Sequence, residues 1–175
     1  MDARRRTGVL PHYRYADLGK LYDTGPVSRT MGRRMIHVDA GAWAAMVAHA
    51  EAKFPNECCG AMIGSIEGDC KNVTLAVPLE NAYEGAQGAR YELRPQDLLE
   101  ADRKARAAGL DLIGIFHSHP DCDAYFSKTD LENSCPWYSF VVLSVKGGKF
   151  DHANSFLPNA DQTAAEKEEL LWPKS

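Results

Sequence analysis

His117-Ser118-His119-Pro120 is followed, after six residues, by Ser127-Lys128-Thr129-Asp130, and Glu57 stands sixty residues upstream of His117. Two histidines one residue apart on an extended strand project to the same side with Cα atoms about 6 to 7 Å apart, so both imidazoles can reach one cation. Asp130 adds a carboxylate. Catalytic zinc uses these donor types: it takes three protein ligands at about 2.0 to 2.2 Å and leaves a fourth position for water, whose pKa falls towards about 7. Hydrolysis then needs a carboxylate that binds no metal, to take the proton of the water and hand it to the leaving amine, and Glu57 is the candidate. The tetrahedral oxyanion needs a donor, and Ser127 offers a hydroxyl. Each piece has a bland reading, since an isolated His-x-His is commonly a surface pair and Ser-x-x-Asp a common helix start. The zinc reading rests on their conjunction with Glu57 ahead of its own strand.

Glu57, His117-x-His119-Pro120, Ser127 and Asp130, in this order and spacing, resemble the signature of the JAMM (MPN-plus) metallopeptidases. Pro55-Asn56-Glu57-Cys58-Cys59-Gly60 is similar to the turn that carries the glutamate in that family. Tyr91-Glu92-Leu93 ahead of a helix resembles its small stand-alone prokaryotic members. The resemblance covers about Met35 to Phe156 and implies an α/β or α+β fold, a mixed sheet flanked by helices with cytidine-deaminase-like layering. It also implies one Zn2+ per chain on His117, His119 and Asp130, with Glu57 as general acid and base and Ser127 steadying the oxyanion. The implied activity is a peptidase or isopeptidase cutting after the C-terminal Gly-Gly of a ubiquitin-like or sulfur-carrier protein. Small size favours sulfur-carrier processing, with a bacterial ubiquitin-like conjugation system second. A homodimer is compatible with this reading.

The elements that must position these residues are legible around them. Asp39 is a candidate N-cap, and Trp43, Met46, Val47, Ala50 and Phe54 recur at helical spacing up to Pro55. Cys58 to Ile66 and Asn72 to Val77 read as strands joined at Glu67-Gly68-Asp69. A Gly- and Ala-containing loop over Glu80 to Arg90 and a short strand over Tyr91 to Leu93 follow. Pro95 opens a second helix that Gly109 closes. Leu112 to Phe116 is a continuous apolar strand running into His117, as in a covered central position. A short helix over Ser127 to Ser134, a strand over Ser139 to Val145 and its hairpin partner over Lys149 to Phe156 complete the pattern. Ala164 to Leu171, acidic, reads as a helix. The expected organisation is a basic extension over 1–35, a catalytic domain over 36–157 and an acidic segment over 158–175.

The chain has 175 residues, 45% of them hydrophobic, enough for one ordinary domain with a core. No apolar run approaches the roughly 18 residues of a membrane span, no secretory leader is apparent, and five cysteines read as reduced thiols, so a cytoplasmic protein is expected. Residues 1–35 hold eight basic and three acidic side chains, whereas 36–175 hold 12 and 21. No nucleic-acid motif accompanies the basic arm, so a solvated extension is expected and neither nucleic acid nor membrane is a partner. A zinc deaminase would need His-x-Glu with Pro-Cys-x-x-Cys, and neither is present. An MPN-type scaffold would lack part of the ligand set, which is whole here. A cysteine hydrolase would compete for a histidine the metal already uses. Cys122, between the ligands, is a further candidate donor to the metal, while Trp137 and Tyr138 are either core or substrate groove.

Overall fold

The computed structural model describes residues 34–173, so the extension expected over 1–35 lies outside the described residues except for Arg34 and Met35. The elements are β1 (Met35–Val38), α1 (Ala40–Lys53), β2 (Cys59–Glu67), β3 (Cys70–Leu79), α2 (Pro95–Ala107), β4 (Asp111–Pro120), α3 (Lys128–Glu132), β5 (Ser139–Lys146), β6 (Lys149–Pro158) and β7 (Ala165–Leu171). The strands form one mixed sheet in the order β1-β3-β2-β4-β5-β6-β7, closed into a barrel by pairing of β7 with β1. β1 runs parallel to β3 and β7, β4 runs parallel to β5, and the other neighbours are antiparallel. The α+β class and mixed sheet match the expectation.

The helices cover opposite faces of the sheet. α1 is built from good helix formers and ends at Phe54, where the following Pro55 ring disfavours helical backbone. It buries Trp43, Met46 and Ala50 among Ile36, Val38, Met62, Val73, Ile113, Phe116, Val141 and Leu143. α2 begins with Pro95, whose missing N–H costs nothing at a helix start, and it is followed by Gly109 at φ +69°. Leu98, Ala101 and Ala105 pack against Cys59, Ala61, Ile63, Leu112 and Ile115 of β2 and β4. Both faces are thus covered over Cys59 to Ile63 and Leu112 to Phe116, which is why these stretches are apolar.

One irregularity sets the direction of the histidines. β2 pairs Met62 with Gly114 but Ile63 with Leu112, so Ile113 is an extra residue on β4. A bulge of this kind shifts the alternation of faces. Ile113 consequently points to the α1 side, while Ile115 returns to the α2 side and the alternation continues to His117 and His119. Gly114 beside the bulge also lets β5 approach, because a Cβ there would lie 1.9 Å from the Ser139 carbonyl oxygen.

Two expectations need correction, and one strand was not expected at all. Ala165–Leu171 is strand β7, not a helix: it pairs with β6 and β1, and these two ladders outweigh the helical propensity of its Ala, Glu, Lys and Leu residues. Its inward Glu168, 5% exposed, accepts a 2.9 Å hydrogen bond from the Ser155 hydroxyl, and Trp172 just beyond stacks on Trp43 at 4.8 Å. The segment after 157 is therefore part of the same sheet as the segment before it. Tyr91 to Leu93 is not a strand. Its backbone is held by Asn81, whose Oδ1 accepts from the Glu92 N–H, rather than by a ladder. Finally, β1 is a strand that the apolar pattern did not announce.

Candidate metal centre

β4 continues through both histidines to Pro120, so His117 and His119 lie on one face of a paired strand, opposite Val142 and Ser144 of β5. Their Nε2 atoms are 3.3 Å apart. Asp130, in the first turn of α3, brings Oδ1 to 3.4 Å from His117 Nε2 and Oδ2 to 3.8 Å from His119 Nε2. Ligands at about 2.0 to 2.1 Å on tetrahedral vertices are separated by about 3.3 Å. With one donor atom taken from each residue, the three lie within 4.8 Å of one another, near the spacing of three corners around a single zinc-sized cation, and two imidazoles with a carboxylate fit zinc.

Each candidate ligand is oriented by a neighbour. His119 Nδ1 lies 3.0 Å from the Asp123 carbonyl oxygen, which can only accept, so Nδ1 carries the proton and Nε2 presents its lone pair. His117 is fully buried and stacks on the Tyr91 ring at 4.6 Å; its Nδ1 has no hydrogen-bond partner among the described residues, so packing sets its orientation. Asp130 and Ser127 form a capping box, with the Ser127 N–H donating to Oδ2 at 2.8 Å and the Asp130 N–H donating to Ser127 Oγ at 3.1 Å. The Ser127 hydroxyl accepts in that bond, and its own proton remains available to donate.

The loop 121–126 joins the two halves of the ligand set and is bonded along its length to β5 and β6. Asp121, at φ +54°, turns the chain and accepts from the Gly147 N–H. The Ser144 hydroxyl donates to the Cys122 carbonyl, the Ala124 N–H donates to His152 Nε2, and Asn154 donates to the Ala124 carbonyl. The Cys122 thiol is exposed and does not belong to the donor group formed by His117, His119 and Asp130, so it is not placed to complete the set. Asp123, Asp151 and His152 form a second group of donors, but it is already bridged by Lys146 Nζ at 2.8 Å from Asp123 and 3.2 Å from Asp151.

Glu57 precedes β2 at the edge of this cluster, 7% exposed and near enough for His119 and Asp130 to act on its charge. Burial is the largest influence on it; His119 opposes that influence and Asp130 adds to it, and the carboxyl is raised to about 7. Burial likewise holds His117 below the usual imidazole value, despite Asp130 beside it. For His119 burial is again the largest single influence, but Asp130, the Asp123 carbonyl and Glu57 together outweigh it and raise the imidazole. Asp130 stays far below the ordinary carboxylate range because His117, His119 and Ser127 jointly overcome its burial. The Cys58 and Cys59 thiols next to Glu57 are pushed up to about 12 by burial, so they are inert as nucleophiles.

All five residues singled out in the sequence thus come together. Supporting residues with no motif of their own are Ser118, Asp123, Asn81 and Gln87. Ser118 bonds Cys58 reciprocally, its Oγ accepting from the Cys58 N–H at 2.9 Å and its N–H donating to the Cys58 carbonyl at 3.1 Å. A polar residue between two histidines was the available signal for it. Of the aromatic pair left open, Tyr138 packs under α2, whereas Trp137 is half exposed.

Comparison with known proteins accords with this architecture. The family model for prokaryotic homologs of the JAB domain matches residues 39–157. A desampylase of Haloferax volcanii is 35% identical over 99 residues, covering 56% of this chain and 69% of the relative. The CysO-cysteine peptidase of Mycobacterium tuberculosis is 33% identical over 103 residues, covering 58% and 68%. Among solved structures, a protein from Desulfitobacterium hafniense superimposes with a TM-score of 0.70 at 29% identity, covering 81% of this chain and 94% of its own. The chain belongs to the family of prokaryotic homologs of the JAB domain.

Proposed function

We propose that this protein is a zinc-dependent peptidase or isopeptidase that hydrolyses the bond following the C-terminal Gly-Gly of a ubiquitin-like or sulfur-carrier protein. The observation that carries the reading is the cluster of His117, His119 and Asp130, one donor atom from each lying within 4.8 Å of the others, beside the buried carboxyl of Glu57. The relatives named desampylase and CysO-cysteine peptidase support it, the latter by a name that states peptidase chemistry.

A zinc ion held by His117, His119 and Asp130 would supply a Lewis acid and a water molecule acidified towards a pKa of about 7. Glu57, whose carboxyl burial raises to about 7 before any cation is bound, is the group placed to take a proton from water and return it to the leaving amine. The Ser127 hydroxyl, anchored by the cap, donates to the oxyanion of the tetrahedral intermediate. An extended tail bound by its backbone in a narrow groove gives affinity through main-chain hydrogen bonds, and lack of side-chain room selects glycine.

The test is metal analysis of the purified protein coupled to cleavage of ubiquitin-like and sulfur-carrier proteins extended beyond Gly-Gly. About one zinc per chain, as in a mononuclear catalytic site, with cleavage that chelator and Glu57→Ala abolish, is the expected result. Absence of zinc overturns the reading, and zinc without cleavage leaves a non-catalytic scaffold in its place.

A further inference from the structure

The loop 80–94, which contains no helix or strand before Pro95, is tied to the peptide of the proposed acid–base residue at two points. The Asn81 side-chain amide donates to the Glu57 carbonyl at 3.2 Å, and the Glu57 N–H donates to the Gln87 carbonyl at 2.8 Å. Both polar backbone groups of Glu57 are thereby held by one loop. Cys58, the next residue, is fixed to Ser118 between the two histidines. Glu57 is thus located relative to the ligand strand on one side and to this loop on the other.

Asn81 uses its whole hydrogen-bonding capacity in this arrangement. Its Nδ2 also donates to the Arg90 carbonyl at 3.0 Å, and Oδ1 accepts from the N–H groups of Tyr83 and Glu92 at 3.0 and 3.1 Å. Gln87 returns the contact, its Nε2 donating to the carbonyls of Asn81 and Tyr83 at 3.0 and 2.8 Å. Losing either side chain leaves two part-buried groups to find new partners: the Glu57 carbonyl and Tyr83 N–H for Asn81, the Asn81 and Tyr83 carbonyls for Gln87. The same loop carries the Tyr91 ring that lies on His117, yet none of the three metal donors belongs to it.

We infer that Asn81 and Gln87 are positioning residues for Glu57, holding its backbone so that the carboxyl faces the water and leaving group, while the three metal donors themselves belong to β4 and α3 and touch this loop through the Tyr91 ring. The inference rests on the peptidase reading for its catalytic consequence, and on the hydrogen bonds alone for its structural one. Misplacement of a reacting group by about 1 Å can lower turnover about 100-fold. Asn81→Asp keeps the acceptor that serves Tyr83 and Glu92 but removes the donors to Glu57 and Arg90. Gln87→Met keeps the bulk and removes both donors.

The experiment measures kcat, KM, zinc content and amide hydrogen exchange at Glu57 in both variants and the wild type. Asn81→Asp is expected to lower kcat on the order of 100-fold with KM within about threefold and zinc content unchanged. Gln87→Met is expected to speed exchange of the Glu57 amide at least about tenfold, since the bond that protects it loses its support. Wild-type kcat in both variants overturns the positioning role, as does loss of zinc or of cooperative folding in parallel with activity. Failure of the peptidase reading appears separately, as a wild-type protein that cleaves no extended substrate. In that case the exchange measurement, made on metal-free protein, still decides whether the loop holds Glu57, and an unchanged Glu57 amide refutes it.

Discussion

Glu57→Gln separates the two consequences of burying a carboxyl beside a metal centre. The substitution keeps shape and leaves the backbone bonds to Gln87, Asn81 and, through Cys58, Ser118 intact, so it removes proton transfer and little else. General acid–base catalysis contributes about 10²- to 10⁴-fold, and kcat is expected to fall by that amount with zinc retained. Stability should move the other way. In the metal-free protein the Glu57 carboxyl lies at about 7 against an ordinary 4.5, principally because burial penalises the charged form. A carboxyl raised on folding destabilises the native state as it ionises: the penalty is absent below the unfolded pKa and complete once the pH exceeds the folded one. The interval corresponds to about 3 kcal/mol at 1.36 kcal/mol per pH unit. Burying the neutral amide offsets part of this, leaving a gain of about 1 to 3 kcal/mol for the variant, or several degrees in Tm. The assay is thermal unfolding of both chelated proteins at pH 4 and pH 8.5, with turnover measured on the zinc-loaded forms. Turnover within tenfold of wild type refutes the proton-transfer role. A difference in stability that is the same at both pH values refutes the burial argument.

His119→Ala removes one of three donors and the contact to the Asp123 carbonyl, so zinc and turnover should be lost together, as read by metal analysis and cleavage of a Gly-Gly-extended substrate. Ser127→Ala should cost about 1 kcal/mol of stability through the lost cap and about 10²- to 10³-fold in kcat through the lost oxyanion donor, with Ser127→Thr recovering most of both. Cys122→Ser should leave zinc affinity and turnover within about twofold, the range of ordinary surface substitutions, because its exposed thiol is outside the donor group. Chelation should lower Tm in proportion to the affinity it removes, about 4 kcal/mol where free zinc stood at a thousand times its Kd.

The elements around the site were legible because their signals are local. Apolar recurrence set α1, Pro95 and Gly109 bounded α2, and continuous apolar runs marked the strands covered on both faces. β7 failed for the opposite reason. Glu166, Lys167, Glu168 and Glu169 look like a solvated helix, and only pairing with the strands on either side, the preceding β6 and the remote β1, makes an extended ladder preferable. β1 is four residues long, too short for any period to show, and it exists because β3 and β7 leave a gap that one parallel strand closes. Closure of the barrel is therefore a property of pairing between remote segments, and no window of the sequence contains it.

The candidate site divides along the same line. Donor types and spacing are written in the chain because the ligands come from one strand and the first turn of the next helix, with a single loop between them. What aims them is not. The direction of both histidines depends on an extra residue at Ile113, four positions before the motif, that a period-2 reading passes over. The tautomer of His119 is set by a backbone carbonyl at Asp123, which any residue type could provide. The placement of Glu57 depends on Asn81 and Gln87, which look like ordinary loop polar residues until each of their bonds is counted. A metal centre of this kind is recognisable from its donors alone. Beyond Glu57 itself, its proposed ability to turn over depends on supporting groups whose residue types carry no signal, and those are further positions where substitution should separate zinc binding from catalysis.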